Sequence, residues 1–204
     1  MKIFSKKGNT LSAGMTFIEL VVVIGIFATI AGVVLFNFSG FSTNISVDNL
    51  AQDIALRIKN AQTQAISGSF APGFIAPKVP AYGVHFDTST PDTFTYFADL
   101  DNDGFLTGAS ACGTAGAECL EEVSISTGDH IAQLCVNEDS GFPNCGSPVS
   151  DLTVSFKRPL PESIILSQTL LTRVNISDAE IKLISPKGKE KIITLWSTGQ
   201  ISVQ

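Results

Sequence analysis

A short acidic segment, DLDNDGFLTGAS, places carboxylates on alternate positions: Asp99, Asp101 and Asp103. Such closely spaced carboxylates repel one another unless water or a hard cation lies between them, and Ca²⁺ accepts about six to eight oxygen ligands. The aspartates match positions 1, 3 and 5 of a twelve-residue calcium loop, with Gly104 at the sharp turn and the Phe105 carbonyl at position 7. The pattern makes this segment a candidate calcium site.

The match to a calcium loop is incomplete. Position 12 of an EF-hand-type loop holds a glutamate that binds with both oxygens, whereas this chain has Ser110 there. A strand pattern precedes the loop, so a last ligand has to come from elsewhere, and the nearby candidates are Glu118, Glu121 and Glu122. Asp/Asn/Gly sequence is also typical of a solvated hairpin turn. Calcium and a plain turn both stay open.

Groups suited to catalysis are scarce. The chain has two histidines, and a base close to an activated nucleophile is the usual requirement for covalent catalysis. His85 lies in YGVHFD on the face opposite its apolar neighbours, so we expect it to be solvated, and His130 lies in a TGDH turn. Glu121 and Glu122 are adjacent and point to opposite sides of any strand. The sequence contains no Gly-rich phosphate loop, HExxH helix or GxSxG elbow, and it predicts a protein that is not an enzyme.

The cysteines predict disulfides rather than a metal site. They lie in Gly-, Ser-, Ala- and Asn-rich sequence, and none belongs to a Cys-x-x-Cys pair, which disfavours zinc. An even count downstream of an apolar segment favours two disulfides formed outside the cytoplasm. Three connectivities are open, and the shortest loops favour Cys112 with Cys119 and Cys135 with Cys145.

Charge is unevenly distributed along the chain, which has 204 residues and a net charge of -6. No Lys or Arg occurs between Lys78 and Lys157, a stretch that carries acids from Asp87 to Asp151, so this half should repel nucleic acid. Basic residues outnumber acidic ones from Lys157 to the end. The ordinary interpretation of that basic excess is a set of solvated strand faces.

The N-terminus predicts a membrane span. Three lysines, Lys2, Lys6 and Lys7, precede a nearly continuous apolar run from Leu20 to Phe36, which is about long enough to cross a bilayer. The lysines place the N-terminus in the cytoplasm and the remainder outside. A secretory signal peptide usually has a shorter apolar core followed by an Ala-x-Ala-like site, and here FNFSGFSTN follows.

Glu19 is the residue that a plain signal anchor leaves unexplained. An acid at the centre of a spanning helix costs about 2.5 to 3.5 kcal/mol, and acids in such segments are usually functional. A lone carboxylate in lipid also requires a positively charged partner. These considerations assign Glu19 a role beyond anchoring.

The stretch GMTFIEL followed by the apolar run resembles the class III signal of type IV prepilins and type II secretion pseudopilins. The resemblance implies a leader over residues 1–14, which a prepilin peptidase removes after Gly14 before it methylates the amine of Met15. Phenylalanine is commoner than methionine at that position in the family. Glu19 would be the fifth mature residue, and it would pair with the α-amine of Met15 on a neighbouring subunit.

The apolar pattern then changes twice along the chain. From Val47 it has helical periodicity, with Asp53 and Arg57 spaced for an ion pair and Gly68 as a plausible stop, so one long helix is predicted over 15–67, transmembrane from about 17 to 38. Over 80–204 the period is two, which predicts a mostly antiparallel β domain. The fold class is therefore α+β, with the long helix packed on the β domain. The predicted inward residues are Val84, Phe86, Phe94, Tyr96, Val154, Phe156, Ile181, Leu183, Ile193 and Leu195.

The order of helix, strands and terminal hairpin KIITLWSTGQISV is similar to the GspH/FimT family of minor pseudopilins and minor pilins. The resemblance implies a pilin-like structural subunit, single-pass in the inner membrane, with its C-terminal domain periplasmic or extracellular. Its partners would be other pilins in a pilus or pseudopilus, the prepilin peptidase and membrane lipid. The sequence leaves open whether the machine is a secretion system, a pilus or a competence apparatus.

A DNA-uptake receptor is the alternative function, because some FimT-like minor pilins bind DNA through a basic C-terminal region. The candidate basic residues are Lys182, Lys187, Lys189 and Lys191. The tail STGQISVQ carries no charge. Nucleic acid is therefore not the partner we expect.

Overall fold

The computed structural model describes residues 14–68, 79–108, 111–114, 116–137, 145, 147–169 and 176–204, with backbone alone for 36–44. The chain divides into two compact units, Met1–Phe41 and Ser42–Gln204. Of the leader predicted over 1–14, all but Gly14 lies outside the described residues. The α+β class and the antiparallel sheets expected from the sequence are present.

The helix α1 spans Phe17–Ser67: it begins two residues after the start of the predicted range 15–67 and ends where that range ends. Its first part, Phe17–Leu35, is a run of 19 residues that is long and apolar enough to cross a membrane. Its large apolar side chains point outward on every side, as shown by Phe17, Ile24 and Leu35, which are 81%, 58% and 74% exposed. The first unit therefore has no apolar core of its own among its described residues.

The second part of α1 is amphipathic and buries one stripe of side chains. The stripe consists of Val47, Ala51, Ile54, Ile58, Ala61 and Ala65. The helix ends at Ser67, and Gly68 adopts the left-handed conformation with a φ of 70° while its N–H bonds to the Gln64 carbonyl at 3.1 Å. Glycine is the usual residue at such a C-terminal cap.

Gln62, a polar residue of the same helix, is buried as well. Its amide nitrogen donates to the Pro161 carbonyl at 2.7 Å and to the Gly199 carbonyl at 3.3 Å. A Cβ on Gly199 would come within 2.2 Å of the Pro161 oxygen and 2.5 Å of the Gln62 amide. Gln62 thus connects α1 to two separate turns that approach each other closely.

The β domain contains two antiparallel sheets. The first sheet has the order β3-β2-β1-β6-β7. Its strands are β1 (Ala81–Asp87), β2 (Thr93–Asp99), β3 (Cys119–Ser124), β6 (Asp151–Phe156) and β7 (Ser163–Leu166). The second has the order β10-β9-β8-β4-β5. Its strands are β4 (His130–Asn137), β5 (Ser147–Val149), β8 (Asp178–Ile184), β9 (Glu190–Trp196) and β10 (Ile201–Val203).

One core joins the helix to both sheets. The buried stripe of α1 packs with the inward faces of the two sheets in a single apolar cluster. Every residue of the predicted inward set belongs to that cluster. The large rings pair within it across β1 and β2, where the centroids of Phe86 and Phe94 are 5.8 Å apart.

The outer face of the first sheet is also covered. The turn after β2 reaches β7, because a Cβ on Gly104 would come within 2.6 Å of the Leu166 side chain. Phe97 is fully buried and its ring lies over Gly83, whose Cβ would meet the ring at 2.7 Å. β6 is buried along its whole length.

Two local expectations from the sequence are wrong. His85 is not solvated: it is half-buried on the outer face of the first sheet, and its Nδ1 shares a hydrogen bond with the Thr153 hydroxyl at 2.8 Å. Burial lowers the pKa of His85, with Asp151 and Asp87 opposing that shift. Arg57 does not pair with Asp53 but with Glu121 on β3, at 2.7 Å.

We expect Ile54→Ala to lower the free energy of unfolding by about 2 to 5 kcal/mol, because it opens a cavity in the core between helix and sheets. Leu56→Ala is the matched control, since Leu56 is 58% exposed on the same helix, and its effect should stay within about 0.5 kcal/mol. The measurement is denaturant unfolding of the detergent-solubilised full chain, followed by Trp196 fluorescence. Equal losses in both variants would contradict the packing described here.

Candidate functional sites

Glu19 lies in the first turn of α1, where it follows a helix cap. The hydroxyl of Thr16 accepts the Glu19 N–H at 3.3 Å, and the Leu20 N–H bonds to the Thr16 carbonyl at 3.1 Å. Thr-x-x-Glu is the sequence of a capping box, and an acid in the first turn also complements the helix dipole. This local role was not predicted, although the letters TFIE carry the signal.

The carboxylate of Glu19 has no partner within the described part of the chain. Its side chain is exposed, and no hydrogen bond or ion pair among the described residues involves its oxygens. It lies inside the apolar segment Phe17–Leu35. Gly14 and Met15, the residues at the predicted cleavage point, are exposed directly before the helix. The described chain therefore supplies no cation that could neutralise Glu19.

The predicted calcium segment folds as a tight loop held by its own aspartates. Asp99 accepts the N–H groups of Asn102 at 2.6 Å and Gly104 at 2.9 Å. Asp101 accepts the N–H of Asp103 at 3.1 Å, and Asp103 accepts that of Phe105 at 2.7 Å. Asn102 and Gly104 have φ values of 64° and 90°, which Asn and Gly tolerate best. The loop is closed by backbone amides.

Glu118 fastens this loop from outside it. One carboxylate oxygen accepts the Leu100 N–H at 3.1 Å, and the other accepts the N–H and the hydroxyl of Thr107 at 2.6 and 2.9 Å. Glu118 is buried, so these bonds compensate for the loss of its hydration. Sequence reasoning had named Glu118 as a candidate last ligand, and the structure does bring it to the loop.

Asp99 is the most perturbed acid of the loop. Burial raises its pKa to about 6, and the Asp101 carboxyl and the Glu118 charge add to that shift, while the amides of Gly104 and Asn102 oppose it. A carboxyl with this pKa is held near other acids at a cost in free energy when it ionises. A bound cation would remove much of that cost.

The geometry of the three aspartates fits a shared cation. One oxygen from each of Asp99, Asp101 and Asp103 lies within 4.8 Å of the others. Ligands on opposite sides of a Ca²⁺ ion are at most about 5 Å apart, given ligand distances of about 2.3 to 2.6 Å. Glu121 is engaged by Arg57, and Ser110 lies outside the described residues. Calcium binding therefore stays a prediction.

Two disulfides stabilise the cysteine-bearing region, with the pairing favoured by the shortest loops. Cys112 pairs with Cys119 at the start of β3, where the Cα atoms are 4.6 Å apart. Cys135 of β4 pairs with Cys145, with a Cα separation of 5.3 Å. No free cysteine remains among the four in the chain.

The lysines considered for nucleic-acid binding are mostly neutralised by acids. Lys189 and Lys191 both contact Asp48 on α1, at 2.8 and 3.1 Å, and Lys182 contacts Glu190 at 2.8 Å. The two lysines hold the pKa of Asp48 below its ordinary value. This surface joins the β8–β9 hairpin to the helix.

Comparison of the chain with family models, with characterised proteins and with solved structures finds no match.

We expect millimolar Ca²⁺ to raise the melting temperature of the full chain in detergent relative to EDTA, because a ligand specific to the folded state stabilises it. The increase should be larger at pH 7.5 than at pH 5. The raised pKa of Asp99 means that its contribution to stability is complete at low pH and is lost as the pH rises through about 6. Calcium binds the ionised carboxylate, so it would restore the stability that is lost when Asp99 ionises.

Asp103→Asn should weaken this calcium response, and Asp92→Asn, in the exposed turn before β2, is the matched control that should retain it. We expect a weak dissociation constant of about 10⁻⁴ to 10⁻³ M. Free Ca²⁺ at ten times that constant should add roughly 1.4 kcal/mol to the free energy of unfolding. Identical melts in Ca²⁺ and EDTA at both pH values would leave these aspartates as the residues of a plain turn.

Proposed function

We propose that this chain is a minor pseudopilin or minor pilin, a structural subunit of a type II secretion pseudopilus or a type IV pilus. The observation that carries the proposal is a single acid, Glu19, in the first turn of an exposed apolar helix that begins three residues after Gly14. In this proposal a prepilin peptidase cleaves after Gly14 and methylates Met15.

The exposed apolar surface of the N-terminal helix requires cover. A contiguous apolar surface of this extent is not stable in water. Before assembly the cover would be the lipid of the inner membrane. After assembly it would be the corresponding helices of neighbouring subunits, and small residues such as Gly25 and Gly32, where an added Cβ would meet no other atom, allow close approach.

Glu19 would act as the assembly device in this proposal. A carboxylate at the edge of a spanning helix costs free energy until it meets a positive charge. The α-amine of the processed Met15 on an adjacent subunit is such a charge, and it exists only after the leader is removed. Cleavage and assembly would therefore be coupled through one ion pair.

The β domain would face outward, on the periplasmic or extracellular side. Two disulfides support an oxidising location, since such bonds are rare in the cytoplasm. The three lysines before the apolar segment support the same orientation.

A DNA-uptake receptor receives less support from the structure. Nucleic-acid binding relies on Lys and Arg side chains that can reach phosphates. Lys182, Lys189 and Lys191 contact acidic side chains instead, so three of the four candidate lysines are engaged in contacts within the domain.

Mass spectrometry of the membrane-extracted protein should find a mature N-terminus at methylated Met15 when a prepilin peptidase is present. Gly14→Ala should leave the leader attached, because the peptidase requires the glycine at the cleavage point. Ala13→Gly, which changes the neighbouring residue, should still be cleaved after Gly14. A mature end beyond residue 36 would contradict the pilin proposal and indicate an ordinary secretory signal.

Glu19→Gln should leave membrane insertion intact and reduce incorporation into filaments about tenfold or more, because the polar side chain stays and the charge disappears. Thr16→Ala is the control, since it removes the helix cap and keeps the charge, and it should still be incorporated. Incorporation is measured by quantifying the subunit in sheared or purified filaments. Wild-type incorporation of Glu19→Gln would show that the charge is not the assembly device.

A further inference from the structure

A groove lies between the amphipathic second part of α1 and the edge strand β3. Its cavity volume is about 290 Å³. Its lining includes Ser46, Leu50 and Asp53 of the helix, Val123 and Thr127 of the strand and its continuation, and Phe94. Both walls belong to the second unit of the chain. We call this feature the β3 groove.

One wall of the β3 groove is an open sheet edge. β3 is the terminal strand of its sheet in the described part of the chain and pairs with β2 alone. The Ile125 N–H donates to the Asp92 carbonyl on the β2 side at 2.7 Å. Because backbone groups alternate in direction along a strand, those of Glu122 and Ser124 point away from β2. They offer hydrogen bonds to another extended chain.

The floor and the helical wall differ in chemistry. Phe94, Leu50 and Val123 supply an apolar floor. Asp53 is exposed on the helical wall, and no ion pair or hydrogen bond among the described residues involves its carboxylate. The cation that could have neutralised it, Arg57, is held by Glu121 at 2.7 Å. The groove therefore presents an apolar surface next to an unbalanced negative charge.

Two hydroxyl groups that line the groove, those of Ser46 and Thr127, can accept hydrogen bonds from a ligand. Both hydroxyls donate to the same oxygen of Asp129. Their protons are thus directed away from the groove, and their oxygen lone pairs remain available. Asp129 is fully buried and its other oxygen has no hydrogen-bond partner in the described chain. Asp53 is the one charged residue among the described residues that line the groove.

Leu50 and Asp53 of the helical wall lie about one helical turn apart, within reach of two alternate side chains of an extended ligand. Leu50 and Asp53 are about 4.5 Å apart along the helix axis at a rise of about 1.5 Å per residue. Alternate side chains of a strand are about 6.6 to 6.8 Å apart and point to the same side. A strand added to the edge of β3 would direct two alternate side chains toward α1, one over Leu50 and one toward Asp53.

We propose that the β3 groove binds an extended segment of a partner polypeptide by strand addition to β3. The segment carries an apolar side chain and, two residues away, a Lys or Arg. Its backbone pairs with Glu122 and Ser124, the apolar side chain covers Phe94 and Leu50, and the cation contacts Asp53. Binding through the main chain supplies affinity, and the two side chains supply specificity. The inference does not depend on the proposed filament function.

The test uses fluorescence anisotropy with the detergent-solubilised full chain and a fluorescein-labelled peptide of sequence TVTKTVT. The expected result is saturable binding below about 1 mM, with TVTETVT binding about tenfold more weakly because its acid meets Asp53. Asp53→Asn should weaken binding of TVTKTVT about twofold to fivefold, in the range of a partly exposed ion pair. Glu162→Gln, which removes an exposed acid beside β7 at the other edge of the same sheet, is the matched control and should change binding little.

Strand addition is tested separately from charge. Ser124→Pro removes a main-chain N–H that points away from β2, so the sheet should remain intact while peptide binding weakens about tenfold. The same peptide N-methylated on alternate residues should also bind weakly to the unaltered chain, which removes any dependence on how the proline variant folds. Equal binding by Asp53→Asn and the unaltered chain, or by the N-methylated and unmodified peptides, would overturn the proposal. So would equal weakening by Glu162→Gln, which would indicate general charge attraction.

Discussion

The β domain depends on the burial of one helical stripe. Val47, Ile54 and Ile58 fill the space between two sheets that have no strand in common, and Ala51, Ala61 and Ala65 keep the helix close to them. Neither sheet has another described helix to cover its inward face. A truncation that removes the helix as far as Val47 or beyond would therefore also remove part of the apolar core of the β domain. The same element that is long enough to enter a membrane also completes the soluble core.

Periodic burial explains why so much of the fold could be predicted. Residues such as Val84, Phe156 and Leu195 occupy alternate positions of their strands, and a one-residue shift would move them all off the inward face, so the inward set is strongly specified. The end of α1 was predictable because Gly68 tolerates the left-handed conformation that caps a helix. β5 could not be predicted, because it has three residues, including Pro148, and carries no alternation that a sequence pattern can register.

Contacts between distant segments could not be predicted in the same way. Arg57 follows Asp53 at the spacing of a helical ion pair, yet it contacts Glu121, because the sheet brings a second acid to the same helical face. Gln62 has a polar side chain of the kind usually found in solvent. The groups that compensate for its burial, the carbonyls of Pro161 and Gly199, are far away in sequence. His85 became half-buried because the outer face of its sheet is covered as well. The aspartate loop was recognised from its letters, whereas its closure by Glu118 required the fold.

The loop that follows β2 has a consequence for the dynamics of the domain. It is fastened to β3 by Glu118, and it contacts Leu166 on β7, so it bridges the two opposite borders of one sheet. A few carboxylates accept most of the hydrogen bonds of this loop. The loss of Asp99 or Glu118 as an acceptor would therefore free several donor groups at once. Such a segment opens as a cooperative unit rather than residue by residue. Amide hydrogen exchange in this loop would therefore report on whether the two terminal strands of the sheet stay connected.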